Sequence, residues 1–172
     1  MNQRIFGITG WKNSGKTTLT CKLVEEFTRR GFRVATVKHA HHLFDIDHDG
    51  TDSYRHRQAG AGEVAIVSGR RWAIMHELGE EQEPSLNDIL ARLSPCDLVL
   101  IEGYKRESHP KIEARRLAAA DRAPVPDIDA SIRAIAADHD IADADVPVFA
   151  LDDIAAIADM IARETGLGET AA

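Results

Sequence analysis

The stretch Gly10-Trp11-Lys12-Asn13-Ser14-Gly15-Lys16-Thr17 fits the phosphate-binding pattern G-x-x-x-x-G-K-[S/T]. Its two glycines permit backbone angles that a side chain would penalise, so the main chain can close around a phosphate. The amides of such a loop form a nest for anionic oxygens. Lys16 can reach the β- and γ-phosphates, and the Thr17 hydroxyl can ligate Mg²⁺. The predicted nucleotide-binding residues of this loop are Gly10, Asn13, Ser14, Gly15, Lys16, Thr17 and Thr18.

The sequence on either side of the loop predicts the strand–loop–helix context that the motif requires. Residues 4–9 form a short apolar run typical of a strand, and residues 17–30 carry apolar side chains at helical spacing. The positive N-terminal end of that helix adds to the attraction for phosphate. A glycine-rich turn without a ligand is the competing interpretation, and the flanking elements disfavour it.

Length and charge restrict the class of protein. A chain of 172 residues fits one domain, and we predict a single nucleotide-binding domain over residues 1–166 with a frayed tail over 167–172. A net charge of −7 argues against non-specific nucleic-acid binding, which needs a basic surface. No apolar run is long enough for a membrane span or a signal peptide. Cys21 and Cys96 show no metal-binding spacing, so we expect reduced, mostly buried thiols in the cytoplasm.

The alternation of predicted strands and helices indicates a mostly parallel sheet. A second strand over residues 33–38 follows the first helix, which implies a parallel crossover. Asp52 is predicted to cap a short helix, and residues 63–67 and 72–76 predict an antiparallel hairpin that extends the sheet. We therefore expect an α/β protein with the three-layer P-loop NTPase fold, a mostly parallel sheet and an antiparallel hairpin extension.

Residues 97–103 predict a central strand that ends in an acid. Four apolar residues in a row are typical of a buried parallel strand, and such a strand delivers Glu102 to the edge where ligands bind. In P-loop proteins the carboxylate that organises the metal lies at this point. We favour that role over a strand end in water. Lys16 and Glu102 are the predicted catalytic residues, and Thr17 and Glu102 are predicted Mg²⁺ ligands.

Four of the eight histidines and four aspartates lie between residues 39 and 53. Three interpretations stay open. The segment could be a nucleotide-dependent switch loop in which Asp45 or Asp47 assists Mg²⁺. It could instead be a site for zinc or nickel, which favour histidine and carboxylate ligands. It could also be a solvated polar loop, because both residue types are common in turns.

Taken together, several stretches resemble the molybdopterin-guanine dinucleotide biosynthesis protein B (MobB) family. The phosphate loop alone is unspecific, whereas the histidine and aspartate pattern followed by the Glu102-Gly103 strand end is much more specific. The residues that carry the resemblance are Gly10 to Thr18, Val37-Lys38-His39, His41-His42, Phe44-Asp45, Asp47, Asp52-Ser53-Tyr54-Arg55, Ala59-Gly60-Ala61, Leu100-Ile101-Glu102-Gly103 and Lys111-Ile112-Glu113.

The resemblance implies a GTP-binding protein with weak intrinsic hydrolysis, using GTP and Mg²⁺, and a homodimer. It implies as partner a nucleotidyltransferase of the MobA type, which joins a guanine nucleotide to molybdopterin, and molybdopterin as a further partner. The family's Pro-Gly-Lys-Asp-Ser reads Asp49-Gly50-Thr51-Asp52-Ser53 here, so position 51 lacks a lysine for phosphate. The chain also lacks an Asn-Lys-x-Asp guanine motif. Asp138, after a predicted strand, is the candidate contact to the base.

Two other functions remain as alternatives. A small-molecule kinase would hold its acceptor in the loops after Lys38 and Glu102. A histidine-rich metallochaperone GTPase would carry nickel or zinc on His41 and His42. The motifs do not distinguish GTP from ATP. Since no glutamine or arginine stands in an obvious catalytic position, we predict slow hydrolysis.

Overall fold

The computed structural model describes residues 3–40, 44–119 and 131–168. Contacts within the chain divide it into two compact units, of which the first comprises residues 1–39 and 91–172 and the second residues 40–90. That both units act as the single domain predicted over residues 1–166 stays a prediction. None of the helices in the described ranges has the length and apolar character needed to cross a bilayer.

The chain alternates strands and helices as the sequence predicts. In order, the elements are β1 (Ile5–Thr9), α1 (Lys16–Arg29), β2 (Val34–Lys38), α2 (Asp52–Gln58), β3 (Glu63–Val67), β4 (Trp72–His76), α3 (Leu86–Arg92), β5 (Leu98–Glu102), β6 (Lys111–Arg115), β7 (Ile132–Ala137), β8 (Val148–Ala150) and α4 (Ile154–Thr165). The first unit contains a six-stranded sheet with the order β2-β5-β1-β6-β7-β8. All five strand pairs in it are parallel, so their carboxyl ends share one edge.

One face of this sheet is covered by α1 and α4, which also contact each other. Side chains alternate along a strand, so every second residue of the central strands points to the same face. This pattern places Phe6, Leu100 and Ile112 in one buried cluster with Phe27 of α1 and Ile161 of α4. Burial of each such side chain stabilises the fold by roughly 1.5–3 kcal/mol. Glu102 has the same parity as Leu100, so it emerges on the α1 face at the carboxyl edge.

The opposite face of β1 is crossed by residues 103–110, which connect β5 to β6 without a helix. Because β1 lies between those two strands, this loop must pass over it. Gly7 makes the crossing possible, since a Cβ there would lie 2.6 Å from His109 Nε2 and 2.7 Å from Lys111 Cγ. His109 is buried, and neither of its ring nitrogens has a hydrogen-bond partner in the described parts of the chain. Burial, with a smaller contribution from Lys111, lowers the pKa of His109 to about 4.

The second unit contains α2 and a two-stranded antiparallel sheet of β3 and β4. Successive side chains of β3 and β4 point to opposite sides, so this small sheet has two different faces. Val64 and Met75, which are partners across the ladder, are buried, and β3 contacts α2. Val67, Trp72 and Ile74 belong to the other face and are 76%, 70% and 54% exposed. The unit therefore presents an apolar sheet surface to solvent.

The predicted P-loop NTPase fold is confirmed, with four differences. The hairpin strands pair with each other as a separate sheet and do not lengthen the parallel one. Thr51, and not Asp52, caps α2, because Thr51 keeps extended backbone angles and accepts from the Tyr54 N–H. Cys21 is exposed because it faces away from the buried side of α1, so its predicted burial is wrong. The predicted frayed tail includes Leu167, which is instead buried, and its N–H donates to Ala162 O.

Candidate functional site

The loop of residues 10–17 joins β1 to α1 at the carboxyl edge of the sheet. Gly10 has a φ of 138°, and a Cβ there would lie 2.5 Å from both Ala114 O and Ser14 Oγ. Asn13 also takes a left-handed conformation, with a φ of 64°, and Gly15 forms the N-cap of α1. The loop therefore turns the chain tightly into α1, whose first N–H groups have no partner within the helix and are suited to bind phosphate oxygens.

Lys16 and Ser14 are held against the loop itself. Lys16 Nζ donates to Trp11 O at 2.7 Å, and the Ser14 N–H donates to the same carbonyl at 3.2 Å. The Ser14 hydroxyl is buried beside Gly10, without a partner in the described residues. Burial lowers the pKa of Lys16, Glu102 opposes that shift, and the charges of Lys105 and Lys38 add to the lowering. An anion close to this ammonium would stabilise its charged form.

Thr17 and Glu102 meet as the sequence predicts. Thr17 Oγ1 donates to Glu102 Oε1 at 3.0 Å, and Lys38 Nζ lies 3.6 Å from the same oxygen. Magnesium prefers octahedral oxygen ligands at about 2.0–2.1 Å, which places neighbouring ligand oxygens about 3 Å apart. The separation of these two oxygens fits that requirement. The donor set also fits, since Mg²⁺ in phosphate sites uses one or two carboxylates together with phosphates and water.

A pocket of about 830 Å³ opens beside the phosphate loop. Its walls come from the start of α1, from the chain after β7 and from the chain around β8. The lining residues are Gly15, Thr18, Leu19, Lys22, Arg116, Ala137, Asp138, His139, Asp140, Ile141, Val148, Phe149, Ala150, Leu151 and Asp152. This size is within the range of small-molecule sites. The predicted contacts Thr18 and Asp138 thus lie in one cavity with Gly15.

Asp138 has defined partners at the end of β7. Its Oδ1 accepts from the Leu117 N–H at 2.9 Å and lies 2.9 Å from His139 Nδ1. These hydrogen bonds, with that to His139 the stronger influence, hold the pKa of Asp138 below its usual value. An ionised carboxylate only accepts hydrogen bonds. Asp138 therefore presents an acceptor to any ligand in the pocket.

The sequence analysis missed Arg116, which lines the same pocket next to the phosphate loop. A Cβ on Gly15 would lie 3.3 Å from both Cδ and Nε of Arg116. This arginine directly follows β6, the strand beside β1. The signal was available, because a cation at the carboxyl end of a central parallel strand is suited to phosphate. Arg116 was not singled out because the residues that follow it suggest no regular element, so the end of the strand was not recognised.

Asp45 and Asp47, predicted to assist Mg²⁺, belong to the second unit and share a cation there. Arg57 Nη2 donates to Asp47 Oδ1 at 2.6 Å and to Asp45 Oδ1 at 2.8 Å, and Nη1 donates to Glu77 Oε1 at 3.0 Å. The hydrogen bond from Arg57 lowers the pKa of Asp47, and the three carboxylates raise that of Arg57. Their role toward Mg²⁺ stays a prediction.

The metal-site interpretation of the histidine-rich segment is not tested by this geometry. Within residues 3–40, 44–119 and 131–168, no three histidine, cysteine or acidic side chains cluster as a metal site. His41 and His42, the residues named for nickel or zinc, lie outside the described residues.

The glycine loop between β1 and α1, the parallel sheet and the acid at the end of β5 define a protein of the P-loop NTPase fold. Residues 5–138 match the family described as MobB, molybdopterin guanine dinucleotide synthesis protein B. The chain belongs to this MobB family.

Individual relatives agree with that assignment. A Haemophilus influenzae protein named molybdopterin-guanine dinucleotide biosynthesis adapter protein is 39% identical over 166 residues, which cover 94% of this chain and 90% of the relative. The Escherichia coli protein of the same name is 36% identical over 159 residues, with 91% and 90% covered. The crystal structure of a MobB homologue from Bacillus stearothermophilus superposes with a TM-score of 0.68 at 28% identity, covering 95% of this chain and 99% of that one.

Proposed function

We propose that this protein binds GTP with Mg²⁺ and acts as an adapter in the attachment of a guanine nucleotide to molybdopterin. The names of the Escherichia coli and Haemophilus influenzae relatives support the biosynthetic role. The 3.0 Å contact between Thr17 Oγ1 and Glu102 Oε1 at the mouth of the phosphate loop is the observation that carries the nucleotide role. The free thiols of Cys21 and Cys96 suit the reducing cytoplasm as the compartment.

Bound Mg²⁺ would neutralise charge on the β- and γ-phosphates. Thr17 and Glu102 would hold it, while Lys16 and the loop amides bind the phosphate oxygens. The contacts of Glu102 with Thr17 and Lys38 suit a binding carboxylate and not a base that removes a proton from water. We therefore expect slow hydrolysis by the isolated protein. Turnover comparable with that of efficient ATPases, measured without a partner, would contradict this part of the proposal.

Asp138 supports a preference for guanine. The Watson–Crick edge of guanine carries two neighbouring donors, N1–H and the N2 amine, whereas adenine offers a single amine beside an acceptor. A carboxylate that only accepts hydrogen bonds therefore matches guanine. Asp138→Ala should weaken GTP binding about tenfold and leave ATP binding unchanged. Asp152→Ala, in the same pocket, is the matched control. Equal GTP affinity in the wild type and in Asp138→Ala would reject this contact.

Calorimetry with GTP and with ATP, each with and without Mg²⁺, tests the central proposal. We expect GTP to bind more tightly than ATP and Mg²⁺ to strengthen that binding. Absence of binding by either nucleotide would overturn the proposal. Nucleotide consumption that depends on an added metabolite would point instead to a kinase.

The apolar face of the β3–β4 hairpin supports the homodimer implied by the family resemblance. A two-stranded sheet is marginal by itself and needs cover on its apolar faces. The face containing Val67, Trp72 and Ile74 alternates regularly, so a second copy related by a two-fold axis can cover it with the same surface. Trp72→Lys should produce a monomer in light scattering with nucleotide affinity retained. A wild-type monomer at high concentration would refute self-association.

The adapter role requires a partner, and we propose a MobA-type guanylyltransferase. The measurement is formation of molybdopterin guanine dinucleotide by that enzyme with molybdopterin and GTP, with and without this protein. We expect a higher rate in its presence, and a smaller gain with Lys16→Ala, which loses the main phosphate cation. An identical rate with and without the wild-type protein would argue against the adapter role.

A further inference from the structure

The ammonium of Lys16, at the start of α1, interacts electrostatically with Glu102 and with two other lysines, Lys38 at the end of β2 and Lys105 after β5. Lys38 Nζ lies 3.6 Å from Glu102 Oε1, and the charges of Lys38 and Lys105 both act on Lys16. Glu102 is the only carboxylate among these four interacting groups. Three positive charges against one negative charge leave an excess of two, in a chain whose net charge is −7. Such a local excess suits a multiply charged anion.

Lys105 is directed at the phosphate loop by its own loop. Its Nζ lies 4.0 Å from the centre of the Trp11 ring, which is a cation–π contact with a residue of the phosphate-binding motif. Tyr104, just before it, has a φ of 48°, which is uncommon for a residue other than glycine, and its ring lies 4.7 Å from that of His39. Lys105 is half-buried, whereas its neighbour Arg106 is exposed. The loop therefore places Lys105 against the phosphate-binding motif and leaves the adjacent Arg106 in solvent.

The strand order gives the candidate site two ends. Glu102 ends β5 and Lys105 follows it, on one side of β1 in the sheet, while Asp138 follows β7, on the other side. The 830 Å³ pocket lies on the β7 side, where it includes Gly15 and Asp138. A nucleotide with its base in this pocket would run its phosphates across the start of α1. Its terminal phosphate would then lie toward the β5 side, where Lys105 is.

We propose that Lys105 contacts the terminal phosphate and gives the protein a preference for a nucleoside triphosphate over the diphosphate, with Trp11 holding the ammonium beside the phosphate loop until the nucleotide binds. This inference rests on the proposed nucleotide binding and extends it by naming the residue that senses the γ-phosphate. Lys16 serves both phosphates by its place in the motif. Loss of Lys16 should therefore weaken both nucleotides, whereas loss of Lys105 should weaken only the triphosphate.

Calorimetry of GTP and GDP, each with Mg²⁺, tests the proposal on the full-length chain. We expect Lys105→Ala to weaken GTP binding about tenfold, the effect of one lost charge-assisted hydrogen bond, and to change GDP binding by less than about twofold. Lys105→Arg should restore most of the preference because it keeps the charge. Arg106→Ala is the matched control, and it should bind both nucleotides as the wild type does. Unchanged thermal unfolding of Lys105→Ala would show that the variant is folded.

A second measurement follows Trp11 directly. The chain has two tryptophans, so Trp72→Phe leaves Trp11 as the single reporter. When the terminal phosphate takes the Lys105 ammonium from the ring, the emission of Trp11 should change with GTP and not with GDP. In Trp72→Phe/Lys105→Ala, GTP should no longer produce that difference.

The outcomes separate this inference from the proposed function. If the wild type binds neither nucleotide, both fail. If the wild type binds GTP and GDP equally, or if Lys105→Ala keeps the wild-type preference, the proposed function stands and the role of Lys105 is overturned. Identical emission changes with GTP and GDP would likewise overturn it.

Discussion

Glu102 and Asp47 are both buried acids that the sequence associates with Mg²⁺, yet their surroundings differ. Glu102 shares one oxygen with the Thr17 hydroxyl at 3.0 Å and with an exposed lysine at 3.6 Å. Asp47 receives two hydrogen bonds from Arg57, at 2.6 Å and 3.4 Å, and Arg57 binds two further carboxylates. A loosely paired acid beside a hydroxyl can turn to a metal, whereas an acid held by an arginine fork is fixed in the fold.

The largest expected effect comes from Glu102→Gln. Removal of this charge should weaken MgGTP binding about 100-fold, the upper end of losses seen when the surroundings of a metal site are altered. Thermal unfolding should change little, because the amide can still accept from Thr17. Calorimetry with and without Mg²⁺ measures the effect. A Glu102→Gln protein with full Mg²⁺-dependent affinity would remove Glu102 from the metal site.

Asp47→Asn should lower thermal stability and leave nucleotide binding unchanged, which is the reverse of the effect of Glu102→Gln. It leaves part of the Arg57 charge unpaired, so the midpoint of thermal unfolding should fall while the nucleotide affinity of the folded protein stays within about twofold. Asp49→Asn, in the same segment, controls for the change of charge. The contrary outcome is an Asp47→Asn protein that keeps the unfolding midpoint and binds nucleotide without any dependence on Mg²⁺. That result would support the predicted Mg²⁺ role of Asp47 and contradict the contrast drawn with Glu102.

The pH dependence of stability should distinguish the contribution of the Asp47–Arg57 pair from that of His109, because the two act in different pH ranges. The pKa of His109 is about 4 in the fold, below its usual value of 6.5, so the unfolded chain binds more protons between pH 6.5 and 4. Stability should therefore fall across that window as the pH is lowered, by about 3 kcal/mol. The lowered pKa of Asp47 means that its contribution is lost only below its usual value of 3.8. Chemical denaturation at several pH values should show a flatter slope from pH 6.5 to 4 in His109→Gln, with the loss below pH 4 retained.

The smallest effect is expected from Lys38→Gln. Lys38 is 62% exposed and 3.6 Å from Glu102, so its ion pair is weak and screened by solvent. GTP affinity should fall by no more than about threefold, and stability should not change measurably. A large loss of stability in Lys38→Gln would mean that Glu102 is held as firmly as Asp47.

The sequence predicted well the patterns that depend on neighbours in the chain, namely the glycine spacing, the apolar strands and the acid at the end of β5. Parallel strands share a carboxyl edge, so these patterns also place Thr17 near Glu102, although the two residues are 85 apart in the chain. Which of several competing partners a side chain takes was not predictable. Arg57, ten residues beyond Asp47, could equally face solvent. It reaches Asp47 because the intervening chain folds into α2, which contains Arg57. The stacking of Lys105 on Trp11 depends in the same way on the turn at Tyr104.

The position of β1 in the sheet has a consequence for synthesis of the chain. Both of its ladder partners, β5 and β6, come from residues 98–115, about ninety or more residues after β1 itself. During translation β1 therefore stays without its ladder partners until residues 98–115 have also emerged. The glycine loop is made before these strands and acquires its framework only when they pair, so a nascent chain arrested before residue 115 should expose this segment to chaperones.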